Sequence, residues 1–240
     1  MEQMRIIDCH THILPGIDDG SDSVETTKQL LKLEEKDGVT DIFLTPHFYA
    51  SRNSITRFLE KREESFEKLL NVIDGTGYKE ENFYKGAEVY YFEDMSRAED
   101  LNKLCIGDTN YILIEMPFAG WTKKNIEEIE YIIDERNMKV IIAHLERFHK
   151  FQKNKEYFER LLELDLMIQF NGEAFLEGFF SKRWADKLLA GRKNVILGSD
   201  CHNLNSRIPN LNSARDKIRK KHGQGVLDLI DGNGESIIGL

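Results

Sequence analysis

A potential metal ligand stands at or just after the end of almost every short apolar segment in this chain, and that regular placement constrains the fold more than any other feature. Seven apolar segments have strand character: Ile6–Asp8, Asp41–Thr45, Tyr84–Val89, Tyr111–Glu115, Val140–Ala143, Met167–Phe170 and Val195–Gly198. Six helical patterns lie between them: Val24–Lys36, Ile55–Ile73, Ile126–Arg136, Tyr157–Leu164, Lys182–Ala190 and Asn212–Lys221. Alternating strands and helices predict a parallel sheet covered by helices.

The candidate ligands at these strand ends are histidines and carboxylates: His10, His12, His47, Glu88, Glu115, His144, Asp200 and His202. The sixth segment also leads into a polar residue, Asn171. In barrels of alternating strands and helices, the loops at the carboxyl ends of the strands converge on the active site. Histidines scattered through a core would not recur at successive strand ends, so the pattern predicts one shared site. The two remaining histidines, His149 and His222, are predicted to lie on the surface.

The spacing within two of these segments strengthens the metal interpretation. His10 and His12 are separated by one residue, which places both imidazoles on the same side of an extended chain. Asp200 and His202 repeat that spacing with an oxygen and a nitrogen donor, a combination that suits manganese, iron or zinc. Either pair alone is a weak signal. Glu115 ends an apolar strand, where a carboxylate is costly unless it is paired with an arginine or coordinated to a cation.

Three further residues have an ordinary interpretation beside the functional one. Asp19 lies in Asp18-Asp19-Gly20, a sequence that favours a simple turn. Arg147 follows His144 closely, and Arg207 follows His202. Each arginine is either a surface cation or a group that binds a substrate phosphate through paired hydrogen bonds.

A cysteine-dependent phosphatase is the rival interpretation of this region. Cys201 and Arg207 are separated by five residues, which is the spacing of the tyrosine phosphatases that use a thiolate nucleophile. The anion-binding loop of such enzymes normally requires glycine, and none stands between these two residues. Alternation along the chain would also direct Cys201 away from the neighbouring candidate ligands. The sequence therefore favours the metal interpretation.

Length and charge limit the remaining classes of protein. The 240 residues suit one domain spanning residues 1–240, and the formal net charge of −9 disfavours a nucleic-acid partner. No apolar run reaches the roughly 20 residues needed to cross a bilayer, and residues 1–8 show no signal-peptide pattern. Three cysteines cannot all pair in disulfides. We therefore expect a cytoplasmic protein with no insertion in the membrane.

Taken together, the motifs resemble the PHP (polymerase and histidinol phosphatase) superfamily. The phrases that carry the resemblance run from Asp8 to Arg207: Asp8-Cys9-His10-Thr11-His12, Leu14-Pro15-Gly16-Ile17-Asp18-Asp19-Gly20-Ser21, Thr45-Pro46-His47, Gly86-Ala87-Glu88-Val89-Tyr90-Tyr91, Ile114-Glu115, His144-Leu145-Glu146-Arg147-Phe148 and Ser199-Asp200-Cys201-His202-Asn203. The fuller phrases are similar to the bacterial capsule and exopolysaccharide tyrosine-protein phosphatases of that superfamily.

The resemblance implies a distorted seven-stranded (β/α) barrel, similar to a TIM barrel, that holds three divalent ions. Manganese is the expected metal, with iron or zinc as alternatives. By position, one ion would be held by His10, His12, Glu88 and Asp200. Glu88 would bridge to a second ion, held also by Glu115 and His144. The third ion would be held by Asp19, His47 and His202, and Arg147 and Arg207 would bind phosphate.

The implied activity is hydrolysis of phosphotyrosine, with the tail of a bacterial tyrosine kinase that controls polysaccharide export as substrate. A metal-bound hydroxide would attack phosphorus directly, without a phosphoenzyme intermediate. Aromatic side chains near the site, among them Phe48, Tyr49, Phe118 and Trp121, are either substrate contacts or packing residues. A histidinol-phosphate or other small phosphomonoester phosphatase, an amidohydrolase and a non-catalytic metal-binding regulatory module are the alternatives. The sequence does not indicate an oligomeric state.

Overall fold

The structure of the protein, a computed structural model, describes residues 5–176, 179–191 and 193–240. Within these ranges, strands alternate with helices as the apolar pattern predicts. The strands are β1 (Ile7–Thr11), β2 (Asp41–Leu44), β3 (His47–Phe48), β4 (Phe83–Lys85), β5 (Glu88–Tyr90), β6 (Tyr111–Glu115), β7 (Lys139–Ile142), β8 (Met167–Asn171) and β9 (Val195–Gly198). The α-helices are α1 (Val24–Lys36), α2 (Ile55–Leu70), α3 (Lys123–Asp134), α4 (Glu156–Glu163), α5 (Glu173–Leu176), α6 (Phe179–Gly191), α7 (Leu211–His222) and α8 (Gln224–Ile237).

The strands form two parallel sheets. One sheet has the order β1-β2-β4, and the other has the order β3-β5-β6-β7-β8-β9. Every strand pair in both sheets is parallel. The parallel α/β class predicted from the sequence is therefore confirmed. Parallel pairing also explains why the strand sequences are nearly continuous apolar runs, because both faces of a parallel sheet are usually buried.

Two short interruptions separate successive strands, and each precedes a candidate ligand. The first lies at the end of the predicted segment Asp41–Thr45, and the second falls inside the predicted segment Tyr84–Val89. Thr45 and Pro46 separate β2 from β3, because proline has no backbone N–H to donate to a ladder. Gly86 and Ala87 separate β4 from β5. After the interruptions, β3 pairs with β5 and not with the strands of the first sheet. The register places His47 directly beside Glu88.

The first and last strands of the fold are joined by hydrogen bonds. The backbone N–H of His12 donates to the carbonyl of Cys201 at 3.0 Å, and the N–H of Asp200 donates to the carbonyl of His10 at 2.8 Å. Gly198 makes this approach feasible, because a Cβ there would lie 2.5 Å from the Cβ of His10. The ligands predicted near the two ends of the sequence are consequently adjacent in space.

The helices cover the sheets, and local signals fix their limits. Ser23 caps α1 by accepting a hydrogen bond from the N–H of Thr26 at 3.2 Å, and Gly38 follows the helix with φ of +82°. The helix packs its buried Leu30 and Leu31 into the core. Among the described residues, no helix is both long and apolar enough to cross a membrane.

Two regions differ from the sequence-based expectation. The glycine-containing segment 224–237 forms helix α8, which was not predicted because glycine disfavours helices. This helix packs on β1 and β9, where Gly234 lies against Ile7 and Cys9. The segment Tyr90–Asn110, which shows no clear sequence pattern, contains two short 3₁₀-helices at Met95–Arg97 and Leu101–Leu104.

Candidate metal centre

All nine predicted ligands lie together at the carboxyl end of the parallel strands. Three groups have ligand atoms within 4.8 Å of one another, and these groups are His10, His12 and Glu88; His47, Glu88 and Glu115; and His12, Asp19, His47 and His202. The two other predicted ligands join these groups directly. His144 Nε2 lies 2.7 Å from Glu88 Oε1, and Asp200 Oδ1 lies 3.5 Å from His12 Nε2. The groups share members, so they form one continuous cluster.

The deepest part of the cluster, called the floor here, consists of His10, His12, Glu88 and Asp200, all fully or almost fully buried. The Nε2 atoms of His10 and His12 are 3.1 Å apart, and each lies 3.3 Å from Glu88 Oε2. Ligand atoms at about 2.1 Å from a common ion lie about 3.0–3.4 Å from one another in tetrahedral or octahedral geometry. The floor therefore has donor spacing that fits one divalent ion.

Glu88 directs its two oxygens towards different groups of histidines. Its Oε1 faces His144, whereas its Oε2 lies near His10, His12 and His47, with His47 Nδ1 at 2.8 Å. A carboxylate in this position can bridge two cations. The geometry is that which the family resemblance implies for Glu88.

Glu115 stands beside His144, with Glu115 Oε1 3.3 Å from His144 Nε2. Both side chains are buried. Together with Glu88 Oε1 they form a compact group of one imidazole and two carboxylates. This composition suits a second hard or borderline divalent cation.

The outer part of the cluster, called the rim here, consists of Asp19, His47 and His202. Asp19 Oδ1 lies 3.4 Å from His47 Nε2 and 3.7 Å from His202 Nε2. The Asp19 side chain is 68% exposed, in contrast to the buried floor. His12 contributes to both floor and rim, because its Nε2 is also close to the rim nitrogens. The resemblance alone assigned His12 to a single ion.

Hydrogen bonds at the back of three histidines fix which nitrogen faces the cluster. Asp18 Oδ2 lies 2.7 Å from His12 Nδ1, and Gln169 Oε1 lies 3.1 Å from His10 Nδ1. The backbone oxygen of Asp200 lies 2.9 Å from His202 Nδ1. Each of these oxygens can only accept, so Nδ1 carries a proton and Nε2 is the nitrogen that faces the cluster. Such outer partners are typical of metal-binding histidines.

Asp18 and Gln169 were not among the predicted site residues. Asp18 also accepts from the backbone N–H groups of His47 and Gly20. Gln169 Oε1 accepts from the backbone N–H of His144 at 2.6 Å. A signal for Gln169 exists in the sequence, because Gln169 and Asn171 are polar residues at alternate positions of an otherwise apolar strand. Asn171 Nδ2 donates to Asp200 Oδ2 at 2.7 Å.

The electrostatics of the cluster favour a cation. Burial lowers the pKa of His12, but Asp18 and Glu88 outweigh burial and raise it to about 10. Burial likewise lowers the pKa of His144, and hydrogen bonds to Glu115 and Glu88 raise it to about 10. His202 Nε2 is buried without a hydrogen-bond partner. Surplus negative charge and a buried nitrogen without a partner both favour a bound cation.

Two proposed ligands have strained backbones. His144 has φ of 26° and Asp200 has φ of 54°, both in the left-handed region that few non-glycine residues adopt. Strain of this kind is found most often at active sites, where the surrounding structure enforces it. Both residues follow the end of a strand, β7 and β9 respectively.

The two predicted phosphate-binding arginines converge on the same carboxylate. Arg147 Nη2 lies 2.9 Å from Asp200 Oδ2, and Arg207 Nη2 lies 2.6 Å from Asp200 Oδ1. Both guanidinium groups remain about one third exposed. They line a cavity of about 370 Å³, which also includes Glu173 and Asn210. This cavity, called the arginine cavity here, opens beside the floor.

The geometry of Cys201 does not fit a nucleophile. Its side chain is fully buried, and the thiol donates to Glu34 Oε1 at 3.4 Å. Burial, Glu34 and Asp8 raise the pKa of the Cys201 thiol well above its ordinary value. A reactive cysteine needs the opposite, a lowered pKa and access to substrate. The sequence-based preference for the metal interpretation therefore agrees with the structure.

The aromatic residues considered as substrate contacts divide into two groups. Phe48 and Trp121 are buried and belong to the core. Tyr49 is partly exposed and its ring lies beside that of His47, tilted by 37°, with the centroids 5.2 Å apart. Phe118 is 41% exposed and stacks on His144 at 6.0 Å. Only Tyr49 and Phe118 of these four therefore present an accessible ring at the cluster.

The surface positions predicted for the two remaining histidines are only partly correct. His149 is partly buried, with its ring 4.9 Å from that of Trp184. The His222 side chain is only 11% exposed, and its Nε2 lies 2.8 Å from Asp186 Oδ1. His222 on α7 is thus held by a contact with Asp186 on α6, which its position in a run of basic residues did not reveal. Neither histidine is a member of the three ligand groups found in the described part of the chain.

Comparison with known proteins identifies the family of this chain. The sequence matches the family described as "Capsular polysaccharide synthesis, CpsB/CapC" over residues 6–239. The chain belongs to the CpsB/CapC family. The family resemblance that the motifs indicate is therefore confirmed at the level of the whole sequence.

Curated members of the CpsB/CapC family are similar to this chain over most of its length. The tyrosine-protein phosphatase CpsB of Streptococcus pneumoniae is 29% identical over 232 residues, covering 91% of this chain and 91% of the relative. The tyrosine-protein phosphatase YwqE of Bacillus subtilis (strain 168) is 27% identical, covering 97% of this chain and 91% of the relative.

Solved structures agree with the fold. A chain from the crystal structures of YwqE and CpsB, described as metal-dependent tyrosine phosphatases, superposes with a TM-score of 0.81 at 21% identity, over 97% of this chain and 94% of that chain. The phosphotriesterase homology protein of Escherichia coli gives a TM-score of 0.58 at 14% identity, over 99% of both chains. Both likenesses are evidence for the fold and not for the reaction.

Proposed function

We propose that this CpsB/CapC family member is a metal-dependent protein-tyrosine phosphatase. The observation that carries the proposal is a cluster of nine histidines and carboxylates flanked by two arginines. The histidines and carboxylates are suited to divalent cations, and the two arginines are suited to a phosphate. The curated relatives of this chain are called tyrosine-protein phosphatases, which supports phosphotyrosine as the substrate class.

The proposed metal content is three divalent ions, with manganese as the expected metal and iron or zinc as alternatives. One ion would be held by the floor residues His10, His12, Glu88 and Asp200. A second would be held by Glu88, Glu115 and His144, and a third by the rim residues with His12 as a neighbour. The spacing of donor atoms and the back-side hydrogen bonds to His10, His12 and His202 support this assignment.

The barrel proposed from the resemblance accounts for the two sheets. If β2 with β3 and β4 with β5 are each counted as one interrupted strand, the described residues make seven parallel strands. The hydrogen bonds between β1 and β9 join the first of these strands to the last. We infer a single domain that forms a distorted seven-stranded (β/α) barrel, with the cluster at the carboxyl ends of its strands.

The chain's own residues would bind and orient the substrate. When bound, divalent ions supply a coordinated water of lowered pKa and neutralise the phosphoryl oxygens. Arg147 and Arg207 would donate N–H groups to phosphoryl oxygens, since both guanidinium groups border the arginine cavity. The exposed rings of Phe118 and Tyr49 would contact the tyrosyl ring. Because Cys201 is buried on the far side of its strand, we expect no phosphocysteine intermediate.

The proposed physiological substrate is the phosphotyrosine-containing tail of a bacterial tyrosine kinase. Support for this partner comes from the family description, which places its members in capsular polysaccharide synthesis. The acidic composition of the chain gives no support for a nucleic-acid substrate.

The decisive test is turnover of a phosphotyrosine peptide by the purified protein with manganese, then with a chelator. Activity should require manganese and should fall by at least about 100-fold in His144→Ala, because that variant removes a ligand that contacts Glu88 and Glu115. His222→Ala is the matched control, since His222 pairs with Asp186 and not with the cluster.

Three outcomes would contradict the proposal. Turnover that persists in chelator would show that the reaction does not need a metal ion. Hydrolysis of histidinol phosphate, with no release of phosphate from phosphotyrosine peptides, would assign the chain to a small-molecule phosphatase. A metal-loaded protein that hydrolyses neither substrate would favour a regulatory module.

A further inference from the structure

A second basic region lies beside the rim, on the side away from the arginine cavity. It is an open cavity of about 610 Å³, and we call it the basic groove. Its lining residues are Ile17, Asp18, Asp19, His47, Tyr49, Arg52, Asn53, Arg57 and Lys61. None of these residues lines the arginine cavity, so the two cavities border different sides of the cluster.

The three cations of the basic groove are exposed and lack carboxylate partners. Within residues 5–176, 179–191 and 193–240, no ion pair joins Arg52, Arg57 or Lys61 to an aspartate or glutamate. Arg52 lies over the ring of Tyr49 at 4.5 Å, and Lys61 donates to Asn53 Oδ1 at 3.4 Å. By contrast, Glu63 on the same helix pairs with Lys85 at 2.7 Å. The cations of the groove are therefore available to an external anion.

The arrangement of these cations carries an intrinsic cost. Arg57 and Lys61 stand four residues apart on α2, so they occupy the same helix face, and like charges at this spacing destabilise a helix. The chain as a whole has a formal net charge of −9, which makes three unpaired cations on one wall unusual. Their concentration beside the site is what recognition of an anionic ligand requires.

The groove is continuous with the proposed metal centre. Asp19 and His47 of the rim form its inner wall, and Tyr49 connects that wall to Arg52. A peptide whose phosphotyrosine enters the cluster would extend along this wall. Side chains close to the phosphotyrosine in sequence would then lie near Arg52, Arg57 and Lys61.

We propose that the basic groove binds aspartate and glutamate side chains that flank the phosphotyrosine in the substrate peptide. The inference rests on the proposed phosphatase function and adds a substrate class to it, namely phosphotyrosine in an acidic segment. It assigns affinity for the peptide to α2 and the loop before it. Release of phosphate would depend on the cluster and the two arginines described above.

The test compares two phosphotyrosine peptides that differ only in their flanking residues. One has glutamate and aspartate on both sides of the phosphotyrosine, and the other has glutamine and asparagine at the same positions. The ratio of kcat/KM for the two peptides is measured with manganese-loaded wild type and with Arg57→Gln/Lys61→Gln. The control is Lys217→Gln/Lys220→Gln, which removes two exposed cations from α7, outside both cavities.

Wild type should prefer the acidic peptide by about 3- to 10-fold at low ionic strength, as expected for a few exposed ion pairs. The preference should fall to about 1- to 2-fold in the groove variant through a change in KM, and it should be retained by the α7 control. Added salt should reduce the preference of wild type, because exposed charges are screened. The ratio of kcat/KM for the two peptides is the decisive quantity, because any general loss of rate affects both peptides equally.

An equal rate for both peptides with wild type would overturn the proposal. So would a groove variant that keeps the full preference. Binding of each peptide, measured by fluorescence anisotropy, separates this inference from the proposed function. Absence of turnover for both peptides would contradict the phosphatase function. In that case, the ratio of the two dissociation constants would still test whether the basic groove prefers the acidic peptide.

Discussion

The floor and the rim of the metal centre use the same residue types but are held very differently. The floor ligands are buried, and their outer atoms are fixed by Asp18, Gln169 and Asn171. In the rim, Asp19 is 68% exposed and stands on a short loop after β1. A buried polar side chain must be fully satisfied, whereas an exposed one is also satisfied by water.

This difference indicates that the fold alone holds the floor ligands in position. Its ligands would keep their positions without a cation, because strands and buried hydrogen bonds constrain them. In the rim, the order of Asp19 depends more on the cation, because most of its side chain is exposed to water. We therefore expect the floor to influence both stability and metal affinity, and Asp19 to influence metal affinity alone.

Gln169→Leu should give the largest combined effect. It removes the acceptor for His10 Nδ1 and for the backbone N–H of His144, and it leaves both groups buried. An unsatisfied buried group costs about 1–3 kcal/mol, which corresponds to a fall in Tm of about 2–10 °C for a chain of this size. Manganese affinity should fall by about 10- to 100-fold. Thermal unfolding in chelator and a manganese titration measure the two effects.

Gln152→Leu provides a matched control for that variant. Gln152 is also buried, and it bonds the backbone of Trp121 and Ala119, away from the cluster. Its replacement should lower Tm by a similar amount and leave manganese affinity unchanged. Equal losses of affinity in the two variants would mean that the loss follows from general destabilisation and not from the orientation of His10.

Asp19→Asn should give an intermediate effect that is confined to the metal. The exposed side chain contributes little to packing, so Tm in chelator should change by no more than the equivalent of about 0.5 kcal/mol. The variant should retain one divalent ion fewer per chain after dialysis, because a neutral amide is a poorer ligand than a carboxylate. Metal analysis by mass spectrometry measures the content. Loss of all bound metal would show that floor and rim are not independent.

Cys201→Ser should give the smallest effect on metal binding and turnover. The thiol contacts Glu34 and not the cluster, and a serine hydroxyl can donate to the same carboxylate. Turnover of a phosphotyrosine peptide should stay within about twofold of wild type, with a stability cost near 1 kcal/mol. A loss of turnover as large as that in His144→Ala would instead support a thiolate nucleophile.

The sequence predicted the parallel α/β class and eight of the nine candidate ligands because both follow from one periodic pattern, whereas Asp19 was added only by the family resemblance. In a parallel sheet, strand ends that are far apart in sequence meet at one edge, so ligands at successive strand ends become neighbours. The bounds of α1 and β9 agree with the structure for a similar reason. Val24–Lys36 is preceded by a capping serine, and Val195–Gly198 is a short apolar run bounded by polar residues.

The features that were missed depend on contacts between distant parts of the chain. Gln169 supports His10 across 159 residues, and nothing in the spacing of either residue indicates the other. Helix α8 contains glycines that disfavour a helix, and its packing on β1 and β9 overrides that local preference. The interruption at Gly86 and Ala87 was also missed, because Tyr84 and Val89 on its two sides both favour a strand.

The hydrogen bonds that join β1 to β9 have a consequence for how the protein matures. His10 and His12 emerge early in synthesis, but Asp200 and His202 emerge about 190 residues later. The nascent chain therefore cannot complete the floor until Asp200 has left the ribosome. Metal bound at the floor as proposed would then belong to a late stage of folding, and it would stabilise only chains in which the residues after β9 have joined β1.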